Sequence, residues 1–392
     1  MKILLFSDGY PSKGLPYSAF IQVLAHEMTR KGCEIMVIAP QSLTKCLLRG
    51  SKLAPRYFED KVDVAGYIRT IRVYRPYTLT FGEGALGKWT PRFNRWATEL
   101  TIKINHIKAD VFYSHFWANG FNAERIAHKE GKPLFVATGE DKINITDFIS
   151  SEEINRLDSG VSGVICVSTK NKEESIQQCL TSADKCVVLP NAYNPKEFYQ
   201  MDKTEARKAL GFPLDAFIVA FCGRFNQRKG AMRVADAINQ LGNPNIKSIF
   251  IGSIADNETA QPECEGMLFK GALPHTDIVK YLNCADVFVL PSLAEGCPNS
   301  VIEAMACGLP IISSDLSFNF DILDSSNSIL VNPMNVQEIA DAIAKLKNDE
   351  PLRQTLADGA LKKATELTIE KRVSKILDFI KEKCKQAGML QS

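Results

Sequence analysis

The feature that most constrains the fold is an alternation of short apolar runs and amphipathic segments, repeated along nearly the whole chain. The runs are rich in β-branched and aromatic residues and end at turns, which predicts strands at 3–6, 34–39, 111–114, 134–137, 164–167, 187–189, 217–222, 248–251, 267–270, 287–290 and 310–313. Helical periodicity lies between several of them, as at 20–31, which stops at Gly32. This alternation predicts an α/β fold with mostly parallel sheets covered by helices on both faces.

The length of the chain indicates two domains. Its 392 residues exceed what one hydrophobic core usually serves. The segment LPNAYNPKEF, 189–198, contains prolines and asparagines that break regular structure and marks the boundary. We therefore predict two doubly wound, Rossmann-like domains facing a cleft, 1–189 and 190–371, with the last helix at about 372–392 packing back onto the first. Ligands of such sheets bind at the carboxyl ends of the strands.

Composition narrows the class of protein. Hydrophobic residues make up 45% of the chain and charged residues 23%, as in globular proteins. No run of about 18 apolar residues occurs, and the apolar core at 3–6 is too short for a signal peptide. Eleven cysteines without a C-x-x-C pair indicate reduced thiols of a cytoplasmic protein, and no zinc site is expected.

Basic and aromatic residues are interleaved within 45–95, where eleven Lys and Arg accompany four Asp and Glu. The rings in and next to it are Tyr57, Phe58, Tyr67, Tyr74, Tyr77, Phe81, Trp89, Phe93 and Trp96. Two interpretations stay open: contact with an anionic membrane or acceptor, or an insertion whose aromatic side chains pack inward. Nucleic-acid binding is not expected, because no recognised module is present.

The segment CGRFNQRKG, 222–230, closes a predicted strand with cationic residues. Gly223 permits a tight turn, Arg224 offers a planar fork of donors, and Lys229 adds a point charge at a helix start. Such a pair can grip a phosphate or diphosphate. A solvated cationic turn without a ligand is the structural alternative.

Two carboxylates bracket a Pro-Asn-Ser turn in EGCPNSVIEAMACGLPII, 295–312. Ser300 and Glu303 match a capping box, which would explain Glu303 without a ligand. Glu295 has no such explanation, and a carboxylate accepts hydrogen bonds well from vicinal hydroxyls. The helix start supplies backbone N–H groups to an anion. Phosphates and hydroxyls together indicate a nucleotide sugar. No Asp-x-Asp triplet occurs, so we expect no metal ion and no cofactor.

These segments resemble a known family. CGRFNQRKG follows the pattern G-R-x4-K-G, and EGCPNSVIEAMACGLPII contains E-x7-E, with VVLPNAYNPKEF and EARKALGFP in the expected places. The chain is similar to retaining GT-B glycosyltransferases of the glycosyltransferase family 4 type, which include bacterial glycan-assembling enzymes. The likeness covers most of the second half and is thinner in the first.

The resemblance implies roles for individual residues. Arg224 and Lys229 would bind the diphosphate, Glu303 the ribose, and Glu295 the transferred sugar, with Arg224, Lys229 and Glu295 forming the catalytic group. The remaining donor contacts would come from Gly223, Gly296, Cys297, Asn299, Ser300, Val301, Gly271 and His275, the last two bounding a loop against the base.

The first half departs from the family pattern. In FVATGED, Thr138 stands where the family usually has histidine, while Gly139 and Asp141 remain. We hypothesise that the donor differs there or that the acceptor compensates. Gly14 and Ser18 lie in an altered first loop on the sugar or acceptor side. His115 in SHFWANG is interpreted mainly as a packing histidine.

The implied activity is transfer of a sugar from a nucleotide-diphosphate sugar to a saccharide or lipid-linked saccharide, with retention and without a metal, in surface glycan biosynthesis. Two alternatives stay open: a non-catalytic subunit that binds nucleotide sugar, and a phosphorylase or epimerase on the same fold. We expect a cytoplasmic protein, with peripheral association at the inner membrane face through 45–95 as a further option.

Overall fold

The computed structural model describes residues 1–12, 15, 18–82, 84, 86–254 and 261–388. The chain forms two compact units: Met1–Leu189 together with the chain from Arg372 onward, and Pro190–Lys371. The strands and helices of the first unit, in chain order, are β1 Lys2–Phe6, α1 Ala19–Arg30, β2 Glu34–Ile38, β3 Gln41–Ser42, α2 Leu43–Arg49, β4 Tyr57–Val64, β5 Tyr67–Tyr74, β6 Tyr77–Thr78, α3 Trp89–Ile104, β7 Val111–His115, α4 Trp117–Lys129, β8 Leu134–Thr138, α5 Ser151–Gly160, β9 Val161–Cys166, α6 Thr169–Gln177 and β10 Cys186–Val188.

Eight of these strands form one twisted sheet in the order β10-β9-β8-β7-β1-β2-β5-β4. All neighbours are parallel except β4 and β5, which pair antiparallel at one edge. The central strands are buried along almost their whole length, which their continuous apolar sequences require in a sheet covered on both faces. The short strands β3 and β6 pair separately.

The second unit contains α7 Lys203–Leu210, β11 Phe217–Cys222, α8 Ala231–Leu241, β12 Ile246–Ile251, β13 Met267–Gly271, α9 His275–Leu282, β14 Val287–Leu290, α10 Asn299–Ala306, β15 Ile311–Ser314, β16 Ser328–Val331, α11 Val336–Asn348 and α12 Glu350–Ala364, followed by α13 Ile369–Gln386, which joins the first unit from Arg372. Its six strands are all parallel, in the order β13-β12-β11-β14-β15-β16.

A buried ion pair anchors α7 of the EARKALGFP segment to this sheet. Arg207 Nη2 lies 2.7 Å from Asp286 Oδ2, and the guanidinium also donates to the carbonyls of Cys284, Leu214 and Ala216. Asp286 in turn accepts from Ile218 N at 2.7 Å. Because each buried charge has a partner and further hydrogen bonds, the pair fixes where β11 and β14 begin.

The last helix completes the first unit. Phe379 of α13 lies edge-to-face on Phe135 of β8, with ring centroids 6.1 Å apart. A Cβ on Gly163 would lie 2.9 Å from both rings, so the absence of a side chain at this position lets the helix pack on the sheet.

The predicted strands are present, with bounds that shift by up to three residues; β11 and β14 begin and end where expected. The antiparallel pair β4–β5, the edge strand β16 and the short pair β3–β6 were not predicted. The 45–95 segment therefore contains a strand hairpin. Its aromatic side chains differ in exposure: Tyr74 is buried, whereas Tyr67 and Trp89 are exposed.

Candidate functional site

The candidate site of the second unit begins where β11 ends, at Cys222 and Gly223. Gly223 N donates to Ile251 O at 2.9 Å, which holds the turn against the end of β12. Gly252 follows that strand with φ 154°, and a Cβ there would lie 1.9 Å from Gly223 O. Only glycine fits such a close approach, so the backbone at Gly252 shapes the turn that carries Arg224.

Lys229 and Glu295 form an ion pair between the two motifs, joining Lys229 Nζ to Glu295 Oε1. Glu295 is 5% exposed. Its Oε1 also accepts from Ser292 Oγ at 2.7 Å, and Arg228 Nη1 lies 3.4 Å from its Oε2. Arg228 additionally donates to Ala294 O at 2.7 Å. Two cations and a hydroxyl thus fix the orientation of this buried carboxylate.

Arg224 differs from Lys229 in its surroundings. Its side chain is exposed, and within the described residues it forms no hydrogen bond or ion pair. The guanidinium is therefore available to a ligand without giving up a protein contact. The solvated-turn alternative also fits this exposure, so the turn alone does not decide between them.

Glu303 lies in a second cluster, centred on His275. The His275 ring places Nε2 3.5 Å from Glu303 Oε1 and Nδ1 3.2 Å from Glu197 Oε2. Asn194 Nδ2 donates to Glu197 Oε1 at 2.5 Å, and the Phe198 ring lies edge-on to the imidazole with centroids 5.1 Å apart. Hydrogen bonding to Glu197 and then Glu303 raises the pKa of His275 to about 10. The histidine is thus a cation that bridges two carboxylates.

Cys222 is the last residue of β11 and leads into the turn that carries Arg224. Burial raises the pKa of its thiol to about 12; the Glu303 carboxylate raises it further, whereas Lys229 lowers it. Neighbouring parallel strands end at the same edge of a sheet, and this edge is where doubly wound sheets bind ligands.

The start of α10 carries the remaining predicted donor contacts. The helix begins at Asn299, one residue before Ser300, and its N-cap is Pro298, which makes no side-chain capping bond. The capping-box interpretation of Glu303 is therefore wrong, because Ser300 lies inside the helix. Gly296 and Cys297 form the preceding bend, with Cys297 O accepting from Asn191 Nδ2 at 3.0 Å, and Val301 is buried. Gly271 ends β13, and Gly252 N donates to its carbonyl at 2.8 Å.

In the first unit, Thr138 is fully buried at the end of β8. Its hydroxyl donates to Glu140 Oε2 at 2.6 Å, and Glu140 also accepts from Gly139 N and from Trp117 N, both at 2.8 Å. Glu140 thereby joins the end of β8 to the first residue of α4. The Thr138 hydroxyl is engaged within the protein, while Asp141 is exposed.

The other predicted residues of this unit fall at the first loop. Ser18 precedes α1 in the left-handed conformation, with φ 62°. Gly14 lies outside the described residues. His115 is buried between Phe20 and Phe116, with ring centroids 5.0 and 4.6 Å away, and burial lowers its pKa to about 3. A neutral imidazole held between two rings fits the packing interpretation.

Four residues of these clusters were not singled out from the sequence. Arg228 and Gly252 follow the two strand ends, Glu197 lies within LPNAYNPKEF, and Glu140 lies within FVATGED. Arg228, Glu197 and Glu140 stood inside quoted motifs and Gly252 directly after a predicted strand, but no spacing rule distinguished them from their neighbours. Within the described part of the chain, no three His, Cys, Asp or Glu side chains are grouped so as to hold a metal ion. None of the helices described is both long and apolar enough to cross a bilayer.

The sequence of this chain is similar to those of known glycosyltransferases. The family model of glycosyl transferases group 1 matches residues 202–363, which include Lys229, Glu295, His275 and Glu303 but not Glu197. The putative teichuronic acid biosynthesis glycosyltransferase TuaC of Bacillus subtilis is 30% identical over 91% of this chain and 92% of its own. The UDP-Gal:alpha-D-GlcNAc-diphosphoundecaprenol alpha-1,3-galactosyltransferase of Escherichia coli is 27% identical over 55% of this chain and 59% of its own.

Solved structures share the fold at low identity. Sucrose-phosphate synthase from Thermosynechococcus elongatus superposes with a TM-score of 0.76 at 18% identity, covering 97% of this chain and 98% of its own. Anabaena HepE in complex with UDP and glucose has a TM-score of 0.70 at 19% identity, covering 97% and 100%. The predicted α/β class with two Rossmann-like units is confirmed.

Proposed function

Since the chain belongs to the group 1 glycosyl transferases, we propose that it moves a sugar from a nucleotide-diphosphate sugar to a saccharide or lipid-linked saccharide during surface glycan assembly. Transfer proceeds with retention at the anomeric carbon and without a metal ion. The observation that carries the proposal is the ion pair of Lys229 with the buried Glu295, with the exposed Arg224 in the turn that leads to Lys229.

The cations of this edge offset the charge of the departing diphosphate. Arg224 approaches it from solvent as a bidentate donor, and Lys229 contributes a point charge. The first N–H groups of α10 point out of the helix start and add to the positive field. Preorganised donors of this kind are worth on the order of 3 kcal/mol each in the transition state.

The carboxylates select the hydroxyl-bearing parts of the donor. Glu303 binds the ribose hydroxyls, and the His275 cation paired with the carboxylate holds it in orientation. Glu295 contacts the transferred sugar, and its ion pair with Lys229 keeps the carboxylate beside the cation that meets the diphosphate. The Glu295 carboxylate is tolerated near the negatively charged diphosphate because the Lys229 ammonium group lies between them.

The relatives support the substrate classes. HepE was solved with UDP and glucose, and the Escherichia coli relative is named for a UDP-linked donor and a diphosphoundecaprenol-linked acceptor. We extend a nucleotide-sugar donor and a lipid-linked acceptor to this chain on that basis. The eleven free cysteines are consistent with a reducing compartment, so we place the enzyme in the cytoplasm.

The experiment is a thermal-shift screen of the full chain against UDP, GDP, ADP, TDP and their sugars at matched concentrations, followed by nucleotide-release assays on the best donor. A ligand that binds only the native state raises the melting temperature, and at matched concentrations a tighter ligand raises it more. Activity should persist in EDTA, and the anomeric proton of the product should show the donor's configuration by NMR. An inverted product, or a requirement for added divalent metal, contradicts the corresponding part of the proposal.

The Arg224→Ala/Lys229→Ala double variant should lose both the stabilisation and the turnover. Lys345→Ala is the matched control, since Lys345 is an exposed cation of α11 in the same unit and lies outside both clusters. Full activity of the double variant would refute the role assigned to the two cations.

A further inference from the structure

Helix α3 has its apolar side outward. Residues on a helix follow one another by about 100°, so Trp89, Phe93, Trp96, Leu100 and Ile104 fall within an arc of about 80°. Trp89 is 54% exposed, Trp96 61%, Leu100 38% and Ile104 64%, while Phe93 is half-buried. These five residues are called the α3 stripe.

The buried side of the same helix is mixed rather than apolar. Arg95, Thr98 and Thr101 lie there with Pro91, Ala97 and Ile102. Arg95 donates to Phe121 O at 3.0 and 2.6 Å, lies 3.5 Å from Glu124 and stacks 3.6 Å from the Phe121 ring centroid. A surface helix normally keeps its large apolar side chains on the buried side, so the exposed α3 stripe indicates an apolar environment outside the unit.

Cations border the α3 stripe. A groove of about 1000 Å³ between α3 and α4 is lined by Trp96 and Leu100 and by six Lys or Arg against three Asp or Glu. Four of these cations, Lys103, Lys108, Lys129 and Lys132, form no ion pair within the described residues. The surface thus combines exposed tryptophan, aliphatic side chains and positive charge without neutralising partners.

A second exposed apolar pair lies nearby. Leu47 and Leu48 of α2 are 82% and 83% exposed. Thr44 of the same helix hydrogen-bonds Thr80 N at 3.0 Å, and the next residue, Phe81, donates to Thr90 Oγ1 of α3 at 2.8 Å. This connection places the start of α2 next to the start of α3.

We propose that the α3 stripe and the neighbouring cations dock the first unit onto an anionic lipid bilayer. Tryptophan favours the boundary between headgroups and acyl chains, and lysines beside it attract anionic headgroups. A second copy of the chain is a poorer occupant, since a two-fold interface would place the same unpaired cations against each other. The docking goes beyond the sugar transfer and does not depend on it.

The chain carries its own reporter for this contact. It contains three tryptophans, and two of them, Trp89 and Trp96, are in the α3 stripe, whereas Trp117 is fully buried. Adding phosphatidylcholine vesicles that contain phosphatidylglycerol should shift the emission to shorter wavelength, and flotation should recover the protein with the vesicles. Pure phosphatidylcholine, or high salt with the anionic vesicles, should give much weaker binding.

Variants separate the apolar and charged contributions. Trp96→Ser/Leu100→Ser should lower the vesicle partition coefficient at least tenfold, and each of Lys103→Gln and Lys129→Gln by about fivefold. The matched controls are Leu214→Ser, an exposed leucine of the second unit, and Lys345→Gln, and neither should change partitioning. Circular dichroism of each variant confirms that it is folded.

Three outcomes would overturn the proposal: no binding to anionic vesicles, binding that the α3 variants do not weaken, and a dimer in sedimentation that the α3 variants dissociate. Vesicle binding is measured without donor or acceptor, so its absence would not contradict the proposed transfer reaction. Absence of transfer by a protein that still binds vesicles would not contradict the proposed docking surface.

Discussion

Lys229 and Glu295 are bound to each other, although they lie 66 positions apart and in different motifs. The resemblance assigned one to the diphosphate and the other to the transferred sugar. Their ion pair shows that the two binding regions are one structural element: a change in either residue alters the charge and orientation of its partner. The predictions below separate what these side chains contribute to stability from what they contribute to activity.

Lys229→Met should lower both stability and activity. It leaves the buried Glu295 carboxylate with Ser292 and Arg228 alone, which costs about 1–3 kcal/mol of the free energy of unfolding. The loss of a charge facing the diphosphate should lower kcat/KM by roughly 10²–10³-fold. Urea unfolding and steady-state kinetics measure the two effects. If the free energy of unfolding is unchanged, the Lys229–Glu295 ion pair does not stabilise the folded protein.

Arg224→Ala should separate the two effects. Because the side chain is exposed and unpaired within the described residues, the free energy of unfolding should stay within about 0.5 kcal/mol of the parent. Activity should fall roughly a hundredfold. Arg224→Lys should recover only part of it, since an ammonium group lacks the bidentate fork. If the alanine variant and the parent have the same kinetics, the segment 222–230 is a solvated cationic turn that does not bind the donor.

His275 should remain protonated well above neutral pH. Its pKa is raised on folding from the ordinary 6.5 to about 10 by Glu197 and Glu303. A pKa raised in the folded state adds stability that is fully present below pH about 6.5 and is lost as pH rises through about 10. The imidazole resonances followed by NMR should titrate near pH 10 in the parent. They should titrate at lower pH in Glu197→Gln and in Glu303→Gln, and titration near neutrality in the parent would contradict the bridge.

Thr138 should tolerate serine but not histidine. The site is fully buried, so the larger ring of Thr138→His should cost about 1–3 kcal/mol by overpacking. Thr138→Val removes one donor to Glu140 and should cost about 1 kcal/mol. Donor preference should match the parent in the serine and valine variants, as shown by competition between sugar nucleotides. A preference altered by valine alone would show that the hydroxyl contacts the donor.

Gly252→Ala should disturb the donor site through the backbone. The added Cβ would overlap Gly223 O at 1.9 Å, which displaces the turn carrying Arg224 and raises the KM for the donor. Gly242→Ala is the control, because its φ of 53° is also strained but its Cβ would meet only Asn239 O at 4.0 Å. The control should lose about 1–2 kcal/mol of stability without a change in KM.

The parallel sheets could be predicted from the sequence because strands buried on both faces must be apolar throughout. The runs FIVAFC and VFVL therefore coincide with β11 and β14. The hairpin of β4 and β5 was missed because it lies at the edge of the sheet and its strands mix charged residues with aromatic and aliphatic ones. Their pattern also suits a solvated insertion, and only pairing with β2 distinguishes the two.

At the site, motifs identified the residues but not their contacts. The capping-box pattern at Ser300 and Glu303 failed because the N-cap of the helix is Pro298, two residues earlier than the pattern assumes. Glu197 could not be foreseen as a partner of His275, since 78 positions separate them. Such contacts depend on the order of strands in the sheet, which local sequence does not encode.

The first unit is built from both ends of the chain, and this has a consequence for its synthesis. Phe379 covers Phe135 and Gly163, so these positions stay exposed to solvent until α13 has been synthesised and has left the ribosome. The intervening unit, Pro190–Lys371, is complete earlier. During synthesis the second unit can therefore fold before the first. Removal of α13 would destabilise the first unit, although most of that unit is translated earlier.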